Sequence, residues 1–382
     1  MSRTIIDVHI IQTVPPSNLN RDDTGSPKTA TYGGVRRARV SSQAWKRATR
    51  DAFDSLLDRS ELGVRSKRVV ELVAEQITAQ DPVLKPRAAE LAGEVLKAAG
   101  IKTTPPRKVK PGEEVLPEAG YLIFFSRSQL TRIAQLAVEA AHIAGDGKLT
   151  IDGREAKRRA DQQNSVDVAL FGRMVAEVTE LNVDAAVQVA HALSVHAVTT
   201  EYDYFTAVDD HKKADEAEDA GAGMIGTVEF NSATLYRYAT IDVDRLRDNL
   251  GDGDVTRRAV EAFLRAFVTS MPTGKQNTFA NRTLPDAVLV VARESQSINF
   301  VGAFEDAVTP EEDGGRIAGS IRRLAEHGRE LHEAYDEHPV TAWCVGVGAK
   351  SEPLTALAAR SSLDSVVTEV GALVTDRAAA AS

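Results

Sequence analysis

Five basic residues and no acidic one stand in GGVRRARVSSQAWKR, from Gly33 to Arg47. Read as a helix from Ser41 or Ser42 to about Leu57, its sequence puts Gln43, Lys46, Arg47 and Arg50 on one side, at i, i+3, i+4 and i+7. Trp45, Ala48, Ala52, Phe53 and Leu56 fall on the other side. The two serines stand where unpaired backbone N–H groups and the positive end of the helix dipole meet an anion. Arg36, Arg37 and Arg39 precede them. The chemistry this pattern supports is phosphate binding; the competing reading is a solvated basic face.

Other stretches carry weaker signals. EYDYF gathers Tyr202, Tyr204 and Phe205 in a chain with 5% aromatic residues. Bases stack on such rings at roughly 1–3 kcal/mol each, although cross-strand core packing accounts for the same residues. Met174, in VDVALFGRM, reads by default as a core residue. MPTGKQNTFANRT fails the phosphate-loop spacing, because Gly274-Lys275 is followed by Gln276. Its polar run with Lys275 and Arg282 suits a backbone-contacting loop or an ordinary turn. His191 and His196 are five apart, the wrong spacing for two ligands on one helical turn, and neither HExxH nor a nucleophile elbow occurs. Asp22-Asp23 and Asp209-Asp210 could serve a two-metal nuclease. For the first pair, Asx-turn capping beside NRDD competes with that role. The sequence calls for no cofactor.

The whole chain argues against indiscriminate binding to polyanions. Its 382 residues hold 55 Asp and Glu against 46 Lys and Arg, a net charge of −9. Between Arg21 and Arg50 the balance reverses, with eight basic residues and two acidic ones. Such asymmetry marks a local binding path on a repellent surface. Cys344 is the single cysteine, which excludes an intramolecular disulfide and a cysteine zinc cluster. The amino-terminal run lacks a cleavage site and no window is long and apolar enough to span a bilayer, so a cytoplasmic protein without membrane contact is expected.

Several elements must position these residues. Thr4–Val14 reads as a buried strand ended by Pro15 and Pro16, and VRRARVS as a short strand before the helix. From Arg65 to Gly147 the period becomes helical, with stripes Val69, Leu72, Val73, Ile77, then Leu91, Val95, Leu96, then Leu130, Ile133, Leu136, Ala140. Lys102–Gly120 is a proline-rich loop. A helix is expected over about Asp184 to Ala197. Two β-rich runs, Val198–Val208 and Gly226–Asp242, flank the acidic stretch Asp209–Gly226 as a long hairpin. A helix over about 256–270, a strand over 286–293, a helix over 317–335, the strand VTAWCVGVG and a last helix over 362–374 complete an α+β pattern.

Taken jointly, LNRDD, GGVRRARVSSQAWKRA, VDVALFGRM, YDYFTAVDD, GTVEFNSATLYRYA and GKQNTFA resemble the CasC family, the backbone subunit of the type I-E CRISPR surveillance complex Cascade. These motifs lie in the family's order from residue 19 to about 280. The resemblance implies an RRM-like (ferredoxin-like) antiparallel-sheet palm, a helical fingers insertion and a long β-hairpin thumb. The palm would occupy 1–57 and 184–382, the fingers 58–183 and the thumb about 199–230. It further implies a non-catalytic subunit that stacks with further copies of itself along a CRISPR RNA, with target DNA and other Cascade subunits as partners. By the family's pattern Arg21, Lys28, Ser41, Gln43, Lys46 and Arg50 hold phosphates, while Tyr204, Phe205 and Met174 wedge at a kink. The chain departs from the family in having Tyr204-Phe205 where Trp-Phe is common, and in a longer, more acidic thumb tip. A metal-dependent ribonuclease of the same broad superfamily is the alternative.

Overall fold

The computed structural model describes residues 3–106, 115–145, 147–175, 178–207 and 224–380. Its contacts divide the chain into two compact units. One gathers Met1–Ala52, Val189–Thr240 and Phe263–Val370; the other gathers Phe53–Gln188, Ile241–Ala262 and Gly371–Ser382.

The first unit is built on a large sheet. Its strands are β1 (Ile5–Ser17), β2 (Thr29–Tyr32), β3 (Val35–Val40), β4 (Ala192–Ser194), β5 (Glu201–Ala207), β6 (Met224–Asp242), β7 (Ala287–Arg293), β8 (Thr341–Gly346) and β9 (Ala359–Arg360). They lie in the order β9-β8-β7-β1-β6-β4-β3-β2, with β5 paired to β6 beyond this path. β1 runs antiparallel to β7 from Ile5 opposite Arg293 to Ile11 opposite Ala287. β8 and β9 are parallel.

On one face, Ile11, Tyr236, Tyr238, Leu289 and Val291 pack with Phe300 and with Ile321 and Leu324 of the helix Arg316–Ala334. β1 also buries Asp7 and His9, because each has partners. Asp7 accepts from Tyr238 Oη at 2.7 Å and Arg293 Nε at 2.9 Å. His9 stacks on Phe300 with centroids 4.2 Å apart. Side chains alternate along a strand, so Gln12 and Arg237 face the other side of the sheet. There they meet the helix α1 (Ser42–Ala52).

The second unit is mainly helical. α2 (Val69–Gln80), α3 (Ala88–Ala98), α4 (Arg127–Ala144) and α5 (Gly153–Asp161) enclose a core of Val69, Val73, Ile77, Leu91, Val95, Leu96, Leu130 and Ile133. Ser126 and Gln129 form a capping box at the start of α4.

Three sequence expectations are corrected. The stretch over 184–197 is not a helix: it forms the short strands Val187–Val189 and Ala192–Ser194. Apolar residues at 185, 189, 193 and 198 imitate a helical repeat. The backbone instead bonds to a neighbouring strand, with Ala190 N–H on Tyr238 O and Val195 N–H on Thr234 O, both at 2.9 Å. Next, α1 ends at Ala52 and continues as a tighter turn over Phe53–Ser55. That change of pitch turns Leu56 outward, and Thr49 takes the fully buried place beside Trp45. Finally, β1 does not stop at Pro15 but runs on to Ser17. Part of Lys102–Gly120 and the whole acidic tip with Asp209-Asp210 lie outside the described residues.

Candidate nucleic-acid interface

Helix α1 is seated by its apolar side. Trp45 and Thr49 are fully buried, while Gln43 and Arg47 are exposed and Lys46 and Arg50 half-buried. Ser41 is the N-cap: its Oγ accepts from Ala44 N–H at 3.3 Å, and its own N–H donates to Asn20 Oδ1 at 2.9 Å. Ser41 is therefore buried and already engaged as an acceptor, which leaves its O–H as the group it can still donate. Arg47 makes a loose, exposed pair with Asp51 at 3.6 Å. Burial pushes the Lys46 ammonium below its ordinary pKa. Among the described residues no carboxylate pairs with it.

The loop between β1 and β2 is stitched to this helix. Besides the Asn20–Ser41 bond, Lys28 N–H donates to Asn20 O and Arg39 N–H to Lys28 O, both at 2.9 Å. Arg21 bridges Pro27 across the loop and is exposed above an open depression of about 500 Å³ lined by Leu19 to Gly25 and Gly274. Asp22 folds into its own turn, where Oδ1 accepts from Thr24 N–H, Ser26 N–H and Thr24 Oγ. These bonds, that from the Thr24 hydroxyl first, hold its carboxyl below the usual range. The Asx-turn reading thus describes Asp22.

Lys275 comes close to the same loop through its neighbour. A Cβ on Gly274 would stand 2.1 Å from Leu19 O, so only glycine lets the two backbones touch. Lys275 and Ala280 flank the short helix Gln276–Phe279 and hold φ of 51° and 47°, a costly conformation for residues with a Cβ.

The three arginines before α1 separate by role. Arg36 is exposed, but Arg37 is fully buried and donates to the carbonyls of Tyr32, Ser194, Phe304 and Glu305. Arg37 is a structural tie and cannot reach an external anion. Arg39 donates from Nε to Thr29 O at 3.2 Å and approaches His191 Nδ1 with Nη1 at 3.3 Å. In the sequence His191 stands out only by its spacing from His196, and no local signal ties it to α1, since the chain brings it here from 149 residues away.

The aromatic cluster lies on the two-stranded ribbon of β5 and β6, where Tyr202 is opposite Glu229 and Phe205 opposite Gly226. All three rings are exposed, Tyr202 by 67%, Tyr204 by 62% and Phe205 by 39%. They are not core partners. Alternation places Tyr202 and Tyr204 on one face and Phe205 on the other. The ring of Phe205 reaches over Gly226, where a Cβ would come within 2.3 Å of it.

Met174 belongs to the second unit and is 82% exposed, which overturns its default reading as core. Its neighbours are anchored. Arg173 is buried and donates to Leu181 O, Gln129 Oε1 and Asp161 Oδ1, and Val175 N–H donates to Asn182 Oδ1 at 2.6 Å. A large apolar side chain is thereby held outward from a rigid base. The structure thus joins Arg21, Lys28, Ser41, Gln43, Lys46, Arg47, Arg50 and Lys275 in one unit with the exposed Tyr204 and Phe205, and carries Met174 on the other.

Residues 6–369 match the family described as CT1975-like protein. Two similar solved chains come from CRISPR assemblies. One, from "CRISPR RNA-guided surveillance complex, pre-nicking", is 35% identical with a TM-score of 0.83, covering 97% of this chain and 100% of that one. The other, from "CRISPR RNA-guided surveillance complex", is 30% identical with a TM-score of 0.70, covering 96% and 99%. Comparison with curated proteins gives no match.

Proposed function

The chain belongs to the CT1975-like protein family, and on that premise we propose that it is a backbone subunit of a CRISPR surveillance complex that grips a guide RNA by its phosphates. The observation that carries this reading is the outward edge of α1. Lys46 has no carboxylate partner among the described residues. It stands in one helical register with Gln43 and Arg50, beside a loop bearing Arg21 and Lys28 that is bonded to the N-cap.

A subunit that accepts any guide must contact what all guides share. Backbone phosphate and the π-faces of bases are sequence-independent; base edges are not. Cations on a fixed helix suit the first, and exposed Tyr204, Phe205 and Met174 suit the second, as wedges where the strand kinks. In this reading the first unit is an RRM-like palm, the β5–β6 ribbon is the thumb and the second unit holds the fingers. Copies stack head to tail in the manner of the type I-E CasC subunits. They leave the bases to pair with target DNA in the cytoplasm, while cutting belongs to another subunit. The turn-bound Asp22 supports a gripping role over a ribonuclease built on that residue.

The deciding experiment titrates labelled CRISPR RNA with the protein in magnesium, on native and denaturing gels. Intact RNA in a ladder of discrete complexes is expected. Shortened RNA, restored to full length by Asp22→Ala or Asp209→Ala, makes the chain a ribonuclease. RNA that stays free both alone and with the other complex subunits sinks the proposal.

A further inference from the structure

We infer that His191 is a stand-in acceptor at the start of α1, which an RNA phosphate displaces and which takes up a proton as it is displaced. This rests on the RNA-gripping reading above. His191 Nδ1 faces two donors at once, Ser42 N–H at 3.4 Å and Arg39 Nη1 at 3.3 Å. A first-turn backbone N–H and a guanidinium are the pair that an anion engages at a helix start. Both contacts are long for hydrogen bonds to nitrogen, and the ring is exposed, so it can leave. Arg39 cannot follow it, because its Nε is tied to Thr29 O.

To accept at Nδ1 the imidazole must be neutral. Its surroundings favour that form. Burial of part of the ring, then Arg39 on β3 and Lys28 on the preceding loop, hold its pKa below the ordinary histidine value. Among the described residues no carboxylate opposes them. A phosphodiester arriving at Ser42 N–H and Arg39 removes the ring's two donors and neutralises the cations that kept it uncharged. The freed Nδ1 then binds a proton from solvent, and the imidazolium becomes a further donor to the phosphate. The cluster needs no bond made or broken beyond this proton transfer.

The test measures affinity for one RNA oligonucleotide from pH 5.5 to 8 at fixed ionic strength, with the wild type, His191→Gln, and the Lys46→Ala and Arg50→Ala double variant. Glutamine keeps an acceptor and a donor but does not titrate. Wild-type affinity should rise as pH falls, about tenfold for each unit by which bound phosphate raises the histidine pKa, and His191→Gln should give a flatter line. Proton uptake on binding, read calorimetrically in two buffers of different ionisation enthalpy, should drop in the same variant. Equal slopes and equal uptake in wild type and His191→Gln overturn the inference while RNA binding stands. RNA binding absent from the wild type at every pH overturns the functional reading and this inference with it.

Discussion

The guanidinium of Arg237 lies 3.7 Å from the ring centroid of Trp45, 4.6 Å from that of Phe267, and is buried. Its nitrogens donate to Gln12 Oε1 at 2.6 Å and to Phe267 O, and no carboxylate is among these partners. Burial pushes its pKa down to about 9, which still leaves it charged at neutral pH. The seat of α1 is thus a cation held by two aromatic rings and two uncharged oxygens.

Arg237→Lys tests that seat. Lysine keeps the charge, but its compact and strongly hydrated ammonium cannot lie flat on Trp45 while donating to two fixed oxygens. We expect a loss of about 2–4 kcal/mol in urea unfolding, from one or two charge-assisted bonds and the stacking. An unfolding midpoint equal to the wild type's would show that the contact contributes nothing.

The cationic edge itself should be visible in salt. Each phosphate neutralised on a single strand contributes roughly 0.7 to the slope of log affinity against log salt. Lys46→Ala with Arg50→Ala should therefore lower the slope by about 1.4 and weaken RNA of every sequence alike. A weaker affinity with an unchanged slope would place the loss in protein structure and not in phosphate contact.

Arg173 and Met174 are adjacent, yet their substitutions should part cleanly. Arg173→Ala removes a buried guanidinium, pushed down to about 10 chiefly by burial, and strands the oxygens of Leu181, Gln129 and Asp161. A loss of about 2–4 kcal/mol is expected. Met174→Ala, at an exposed position, should stay within about 0.5 kcal/mol of wild-type stability. Its expected effect is on the RNA: weaker periodic protection in nuclease footprints of the assembled complex. A Met174→Ala protein that melts early would identify the side chain as packing.

What was legible in the sequence followed the reach of each signal. The stripes Val69–Ile77, Leu91–Leu96 and Leu130–Ala140 were readable because a helix closes its bonds within a few residues, so its pattern is local. The segment over 184–197 imitates a helix in its spacing, while its hydrogen bonds run to Tyr238 and Thr234, far along the chain. The basic edge of α1 could be drawn from spacing alone. That Arg37 turns inward could not, since the carbonyls it ties at Ser194, Phe304 and Glu305 converge only in the fold. His191 escaped for the same reason. Asp22 was legible as a turn carboxylate because its partners are Thr24 and Ser26.

His196 should make the protein sensitive to mild acid. It is buried between two strands, where Nδ1–H donates to Ala197 O at 2.8 Å and Nε2 accepts from Thr234 N–H at 3.1 Å. Only the neutral ring can do both. Burial, and after it the cations Arg316 and Arg37 against a partial offset from the Ala197 carbonyl, bring its pKa to about 4. The unfolded chain, with an ordinary histidine near 6.5, binds the proton first. Stability is therefore lost as pH falls from about 6.5 to about 4, by roughly 3 kcal/mol in all for this group. Asp7 works in the opposite sense: burial raises its carboxyl, so it gains stability from protonation. The wild-type curve alone mixes the two. The comparison to make is with His196→Gln, whose amide can donate to Ala197 and accept from Thr234 without titrating. Denaturant unfolding at pH 7, 5.5 and 4.5 should show the gap between variant and wild type closing or reversing as the solution becomes acidic. Two parallel curves would mean that the protonated ring is accommodated and that the two strands open there at little cost.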